Sequence, residues 1–256
     1  MDRTAALLFD LDDTLISAYA NRSAAWRAHL KDYGEALHPW DSAEVAEAIA
    51  SAAAQFWSGP RATAQNRHDL QAVRRANVSN AFAHLRIDDT GLSIEIADRF
   101  TEKRRAGHRL YPETVPLLQT CRALGLKTGL VTNGGKDEQR AKLSRFGLSG
   151  LFDCVTISEE VGIEKPDPAI FHHALSALGV EATAAWMVGD NLDWDMVGAQ
   201  TAGIAAVWLN VENRPLPATI RPDATISSLG EVLTLLDDVS TRTRTDDRRS
   251  SPAPRK

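Results

Sequence analysis

Ala5-Ala6-Leu7-Leu8-Phe9-Asp10-Leu11-Asp12-Asp13-Thr14-Leu15 is the stretch from which the rest of the chain can be read. An apolar run too short for a helical period turns abruptly polar, the pattern of a strand buried on both faces. In an open α/β sheet, ligands sit beyond the carboxyl ends of the strands, so Asp10 and Asp12 are expected at a crevice. The two-residue strand period sends both side chains to the same side. Close carboxylates repel when both are ionised, which calls for a bound cation or for one raised pKa.

Outward from this stretch, the second half of the chain repeats the theme. From Tyr111 onward, short apolar runs alternate with helical patterns, as βα units building a parallel sheet do. Strands are expected at 127–132, 152–158, 185–189 and 204–209, and helices at 113–124, 136–146, 168–178 and 195–202. Gly125, Gly147, Gly179 and Gly203 each follow a helical segment as a stop. Residues 17–108 differ, being rich in Ala and long polar residues at helical spacing. Trp26, Leu30 and Tyr33 fall on one face, as do Leu70, Val73, Phe82 and Leu85 further on. The expected design is an α/β, Rossmann-like core of residues 1–16 and 109–239 with an inserted all-helical cap over 17–108. Such a cap excludes water and completes a site. Residues 240–256, rich in Ser, Thr, Pro and Arg, are expected to be a disordered basic tail.

Composition narrows the function classes. The 256 residues are 43% hydrophobic and 25% charged, enough for a buried core, with a formal charge of -5. Residues 241–256 carry a local +4, so the remainder stands at -9, which argues against nucleic acid as the main partner. Cys121 and Cys154 are too few for a disulfide framework and too far apart for a metal-ligand pair, which favours a reducing compartment. The N-terminus lacks a signal-peptide layout and no apolar run reaches membrane-spanning length, so a soluble, cytoplasmic protein is expected.

Three further polar sets fall at expected strand ends. Leu130-Val131-Thr132-Asn133-Gly134-Gly135 offers a hydroxyl, an amide and backbone N–H groups to an anion, or serves only as an Asn-Gly turn. Gly134-Gly135-Lys136 is not a phosphate-binding loop, because the spaced first Gly and the following Ser/Thr are missing. Lys165, before a helix that starts at Pro168, places an ammonium either at the crevice or on the surface. Trp186-Met187-Val188-Gly189-Asp190 is a buried strand ending in an acid, and Asp193 and Asp195 follow it. Those carboxylates suit a hard cation such as Mg²⁺, although Asp193 or Asp195 also suits a helix cap.

In order and spacing, Asp10-x-Asp12-x-Thr14, Thr132, Lys165-Pro166 and Gly189-Asp190 with Asp195 resemble the haloacid dehalogenase-like (HAD) hydrolase superfamily, over about residues 5 to 239. The helical insertion resembles its subfamily with a C1 cap. The resemblance implies a parallel sheet of strand order 5-4-1-2-3 and a phosphatase acting on a small-molecule phosphate monoester, such as a sugar phosphate or nucleotide. It implies Asp10 as nucleophile, Asp12 as general acid/base, Thr132, Asn133 and Gly134 as phosphate ligands, and Lys165 as the charge-neutralising residue that also touches substrate. Mg²⁺ is implied on the carboxylates of Asp10 and Asp190 and the backbone carbonyl of Asp12, with Asp195 a further ligand or one just outside the directly bound set. The chemistry agrees, since phosphoryl transfer needs an in-line nucleophile and dense positive charge around the phosphoryl oxygens.

Carbon-halogen hydrolases in the same superfamily need neither the second aspartate nor a metal, so Asp12, Asp190 and Asp195 favour a phosphatase. A phosphomutase and a non-catalytic binding protein are the other readings. The motifs from Thr132 to Gly134 and from Ile157 to Pro168 resemble the branch of pyrimidine 5′-nucleotidases and N-acylneuraminate-9-phosphatases. In the cap, Arg61, Arg67, His68, Arg74 and Arg75 either meet an acidic or polyhydroxylated leaving group or form a solvated face. Trp26, Trp40 and Trp57 stack a base or fill the cap core. A monomer or homodimer is expected.

Overall fold

The first strand, β1 (Ala6–Phe9), is buried along its whole length and lies at the centre of a six-stranded sheet. In the computed structural model, residues 4–17, 22–58 and 69–237 are described. The chain splits into two compact units, one of Met1–Ile16 and Leu110–Lys256, the other of Ser17–Arg109. At the crossing points, β2 (Ile16–Ser17) and β3 (Arg109–Leu110) form a separate two-stranded sheet.

The first unit is built on β1 with β4 (Lys127–Thr132), β5 (Cys154–Ile157), β6 (Ala185–Gly189), β7 (Ala205–Leu209) and β8 (Ala224–Ile226). All pair in parallel, in the order β5-β4-β1-β6-β7-β8. The five-strand order expected from the family resemblance differs in detail, because β8 adds a sixth strand beyond β7. Only three residues long, β8 is too short to stand out as a periodic segment. Apolar side chains cover both faces of the sheet. Leu7, Phe9, Leu130 and Val188 pack on one side, and Leu8, Val131, Met187 and Trp208 on the other. Contact is close enough that a Cβ on Gly129 would stand 2.7 Å from Leu8 Cδ2. Register places Phe9 beside Leu130 and Val188, so the residues after β1, β4 and β6 emerge at one edge.

The second unit is helical within its described residues: α1 (Arg22–Leu30), α2 (Gly34–Leu37), α3 (Ser42–Ser58), α4 (Leu70–Leu85) and α5 (Thr90–Gly107). Asp69 and Asp89 cap α4 and α5 by accepting the Ala72 and Leu92 amides. Trp26, Leu30, Val78, Phe82, Ile96 and Phe100 are among the residues that form its core. The Trp26 ring stacks on Phe100 at 3.6 Å, so it is engaged in that core, and Trp40 packs against its margin. The Trp57 side chain, and Arg61, Arg67 and His68, lie outside what the structure describes, as does the basic tail. Arg75 is held by both Asp98 oxygens at 2.7 and 2.6 Å, and Arg74 reaches Thr101 at 3.4 Å. No described helix is long and apolar enough to cross a membrane.

Candidate active site

All the polar residues expected at strand ends belong to the first unit, and they gather at the edge described above. Asp10 follows β1 directly, with its amide donating to the Val188 carbonyl at 3.0 Å. The chain then turns tightly. The Leu15 and Ile16 amides both return to the Leu11 carbonyl, and Asp13 takes a φ of 62°. Aspartate is among the few non-glycine residues that tolerate this left-handed region. That turn separates the two aspartates, which the strand period alone would leave side by side.

Asp10 faces Lys165. The Lys165 ammonium, 2% exposed, stands 2.6 Å from Asp10 Oδ1 and 2.6 Å from Asp195 Oδ1. Its backbone is fixed by Asn133, whose amide accepts from the Lys165 N–H at 2.8 Å and donates to the Lys165 carbonyl at 2.9 Å. The other Asp195 oxygen accepts the Asn191 amide at 3.0 Å. Gly189 is required here, because a Cβ on it would collide with the Asp195 carboxylate. Asp190 follows β6, and its carbonyl accepts from Trp208 Nε1 at 3.0 Å and Arg214 Nη2 at 2.7 Å.

Oxygens of Asp10, Asp190 and Asp195 lie within 4.8 Å of one another. Lys165 meets two of these carboxylates, and among the described residues Asp190 has only Arg214 at 3.8 Å, so the cluster carries excess negative charge. Burial, partly offset by Lys165 and reinforced by Asp195, pushes the Asp10 carboxyl up to about 7. Burial also raises Asp190 well above the carboxylate range, aided by Asp195 and Asp10. Burial works against the Lys165 charge, yet Asp10 and Asp195 outweigh it and hold the ammonium above its ordinary value. An all-oxygen donor set with surplus negative charge is what a hard divalent cation takes, so these residues fit Mg²⁺.

Asp12 goes elsewhere. Its two carboxylate oxygens each lie 2.8 Å from Lys142 Nζ, and Oδ2 also accepts from Gln139 Nε2 at 3.0 Å. Both partners sit on the helix after β4, α7 (Lys136–Arg145), which follows α6 (Thr114–Ala123) in the chain, and Glu138 lies 3.4 Å from the same ammonium. The side chains of the two aspartates of the opening stretch therefore meet different lysines, and of the two alternatives for close carboxylates a raised pKa is found at Asp10.

The turn after β4 is held by neighbouring segments. Thr132 Oγ1 accepts from Gln139 Nε2 at 2.7 Å. Asn133 was expected to bind phosphate, but its side chain is committed to the Lys165 backbone. The Gly134 N–H, expected to face an anion, donates to Ser158 Oγ at 3.0 Å. Asp193 and Asp195 do not cap the following helix with their side chains. Asn191 does, accepting the Asp193 and Trp194 amides.

A haloacid dehalogenase-like hydrolase family model matches residues 4–203. The chain belongs to that family. This HAD-like hydrolase is 35% identical over 254 residues to the phosphoserine phosphatase of Thermus thermophilus, spanning 88% of this chain and 96% of that one. It is 28% identical over 244 residues to the N-acylneuraminate-9-phosphatase of Mus musculus, spanning 93% and 96%. Among solved structures, an HAD phosphatase from Thermococcus onnurineus aligns with a TM-score of 0.60 at 30% identity, covering 91% of this chain and 98% of that one.

Gln139 and Lys142 were not singled out from the sequence of this HAD-like hydrolase. A signal existed. They lie three apart and share the buried side of α7 with Leu143, on a helix whose other residues are mostly charged.

Proposed function

We propose that this HAD-like hydrolase is a phosphatase that cleaves a small-molecule phosphate monoester through a phosphorylated Asp10. One observation carries the reading: oxygens of Asp10, Asp190 and Asp195 converge within 4.8 Å, with the buried Lys165 ammonium against Asp10 and Asp195, while Asp12 stands apart on its own lysine. A carbon-halogen hydrolase needs the nucleophile but neither the cation site nor the second acid. A phosphatase needs all three.

In the proposed reaction, Asp10 attacks phosphorus in line and the bond to the ester oxygen breaks. The leaving alkoxide takes a proton from Asp12. Water then attacks the acyl phosphate, gives its proton to Asp12, and releases phosphate with Asp10 regenerated. Lys142, 2.8 Å from both Asp12 oxygens, orients this carboxyl group for both proton transfers. Lys165 orients Asp10 and offsets its charge, and Thr132 supplies a hydroxyl to the phosphoryl oxygens. The carboxylates of Asp10 and Asp190 and the Asp12 carbonyl, with Asp195 adjoining, would hold Mg²⁺, which would supply charge neutralisation between nucleophile and phosphate.

The test is phosphate release from a panel of nucleotides, sugar phosphates, phosphoserine and p-nitrophenyl phosphate, with Mg²⁺ and with chelator. The expected result is Mg²⁺-dependent release that chelator abolishes and added Mg²⁺ restores. Halide release from a 2-haloacid that persists in chelator would assign the site to the dehalogenase reading instead. Phosphate migrating within a sugar without release would mark a mutase.

A further inference from the structure

We infer that Gln139 is a positioning residue, oriented by Lys142, that keeps the Thr132 hydroxyl proton available to the phosphoryl group. The inference rests on the phosphatase reading and deepens it at one atom.

The orientation of the Gln139 amide is fixed by chemistry. Its Oε1 lies 2.7 Å from Lys142 Nζ, and an ammonium has only donors to offer. The NH₂ end must therefore face the other way, where three acceptors meet it: Thr132 Oγ1 at 2.7 Å, Asn133 O at 3.0 Å and Asp12 Oδ2 at 3.0 Å. Flipping the amide would set its oxygen against these acceptors and its NH₂ against the ammonium.

This polarity passes to Thr132. A hydroxyl has one proton, and by accepting from Gln139 it keeps that proton for another partner. Among the described residues its outgoing bond is a long one, 3.4 Å to the Asn133 carbonyl. A phosphoryl oxygen at the strand edge is a stronger acceptor than that and takes the proton over. Were the Gln139 amide absent, the hydroxyl proton would be free to turn toward the Asp12 side of the crevice. The buried positions of Gln139 and Lys142, at 1% and 7% exposure, keep water from substituting for the amide.

The experiment is a double-mutant cycle read by the inhibition constant of inorganic phosphate, with kcat and KM for p-nitrophenyl phosphate alongside. Gln139→Met keeps the length of the side chain and removes the donor. Phosphate binding is expected to weaken roughly tenfold in Gln139→Met, and to be unaffected by the same change in a Thr132→Val background. A Thr132→Ser background, which keeps the hydroxyl, is expected to restore the Gln139→Met effect. Lys142→Met frees the amide to turn and is expected to reproduce part of the loss. Equal losses with Val, Ser and Thr at position 132 would overturn the inference and leave Gln139 a packing residue. If the unmutated protein neither hydrolyses the ester nor binds phosphate, it is the phosphatase reading that fails.

Discussion

Lys165 and Lys142 each hold an aspartate of the same loop, but in opposite surroundings. Lys165 is sealed in with Asp10 and Asp195, at 2% exposure against side chains of 9% and 1%. Lys142 is equally buried, yet its acids, Asp12 and Glu138, remain 25% and 29% exposed. Water screens surplus charge at the second lysine and cannot do so at the first. Excess charge held away from water must be resolved by a proton or a cation, which is why Asp10 and Asp190 are pushed upward and why a cation fits beside them.

The largest effect that tests this contrast is expected from Asp10→Asn. It keeps the shape, removes the nucleophile and relieves the crowding, so turnover should fall by more than about 10⁴-fold while the protein remains folded. Turnover near that of the unmutated protein would remove Asp10 from the centre of the site. Next comes Lys165→Met, which strands Asp10 and Asp195. In chelator at pH 8 it should lower unfolding free energy by about 3–5 kcal/mol in chemical denaturation. Lys142→Met, beside acids that water reaches, should cost only about 1 kcal/mol by the same measurement. Similar losses from the two lysines would erase the distinction between them.

Between these in size lies the dependence on pH. Asp10 holds its proton up to about 7 when folded, against 3.8 ordinarily, so in chelator its contribution to stability is full below about 4 and gone above about 7. Mg²⁺ has to displace that proton. Its affinity, followed by thermal shift, should therefore fall about tenfold for each pH unit below about 7 and level off above. An affinity that stays flat from pH 5.5 to 8 would show that the proton on Asp10 does not compete.

The parallel sheet and the strand-end acids were legible because the signals are local. Apolar runs such as 127–132 and 185–189 end abruptly in polar residues, and each of those two strands has the expected bounds. What escaped was what depends on the chain folding back. The left-handed Asp13 turn sends Asp12 to α7, and no periodicity reports a turn of that kind. The sequence of Asn133 and Gly134 suggested anion ligands, and it gave no sign of their partners Lys165 and Ser158, which lie more than twenty residues away. Lys142 was hidden by its composition, since a lysine in a charged helix is ordinarily solvated. The partners of Arg74 and Arg75, Thr101 and Asp98, were likewise not legible, because they lie on the next helix.

The placement of β1 between β4 and β6 also governs how the protein comes into being. The strand that leads into Asp10 precedes its two neighbours in the sheet, which begin at Lys127 and Ala185. Asp10 and Lys165 are separated by 155 positions, and contacts of such long range are slow to form. Until Ala185–Gly189 emerges from synthesis, one edge of the most apolar strand stands open to any other chain. A fragment ending before Ala185 should therefore aggregate rather than show partial activity, and the period before β6 arrives is when the nascent chain has the greatest need of a chaperone.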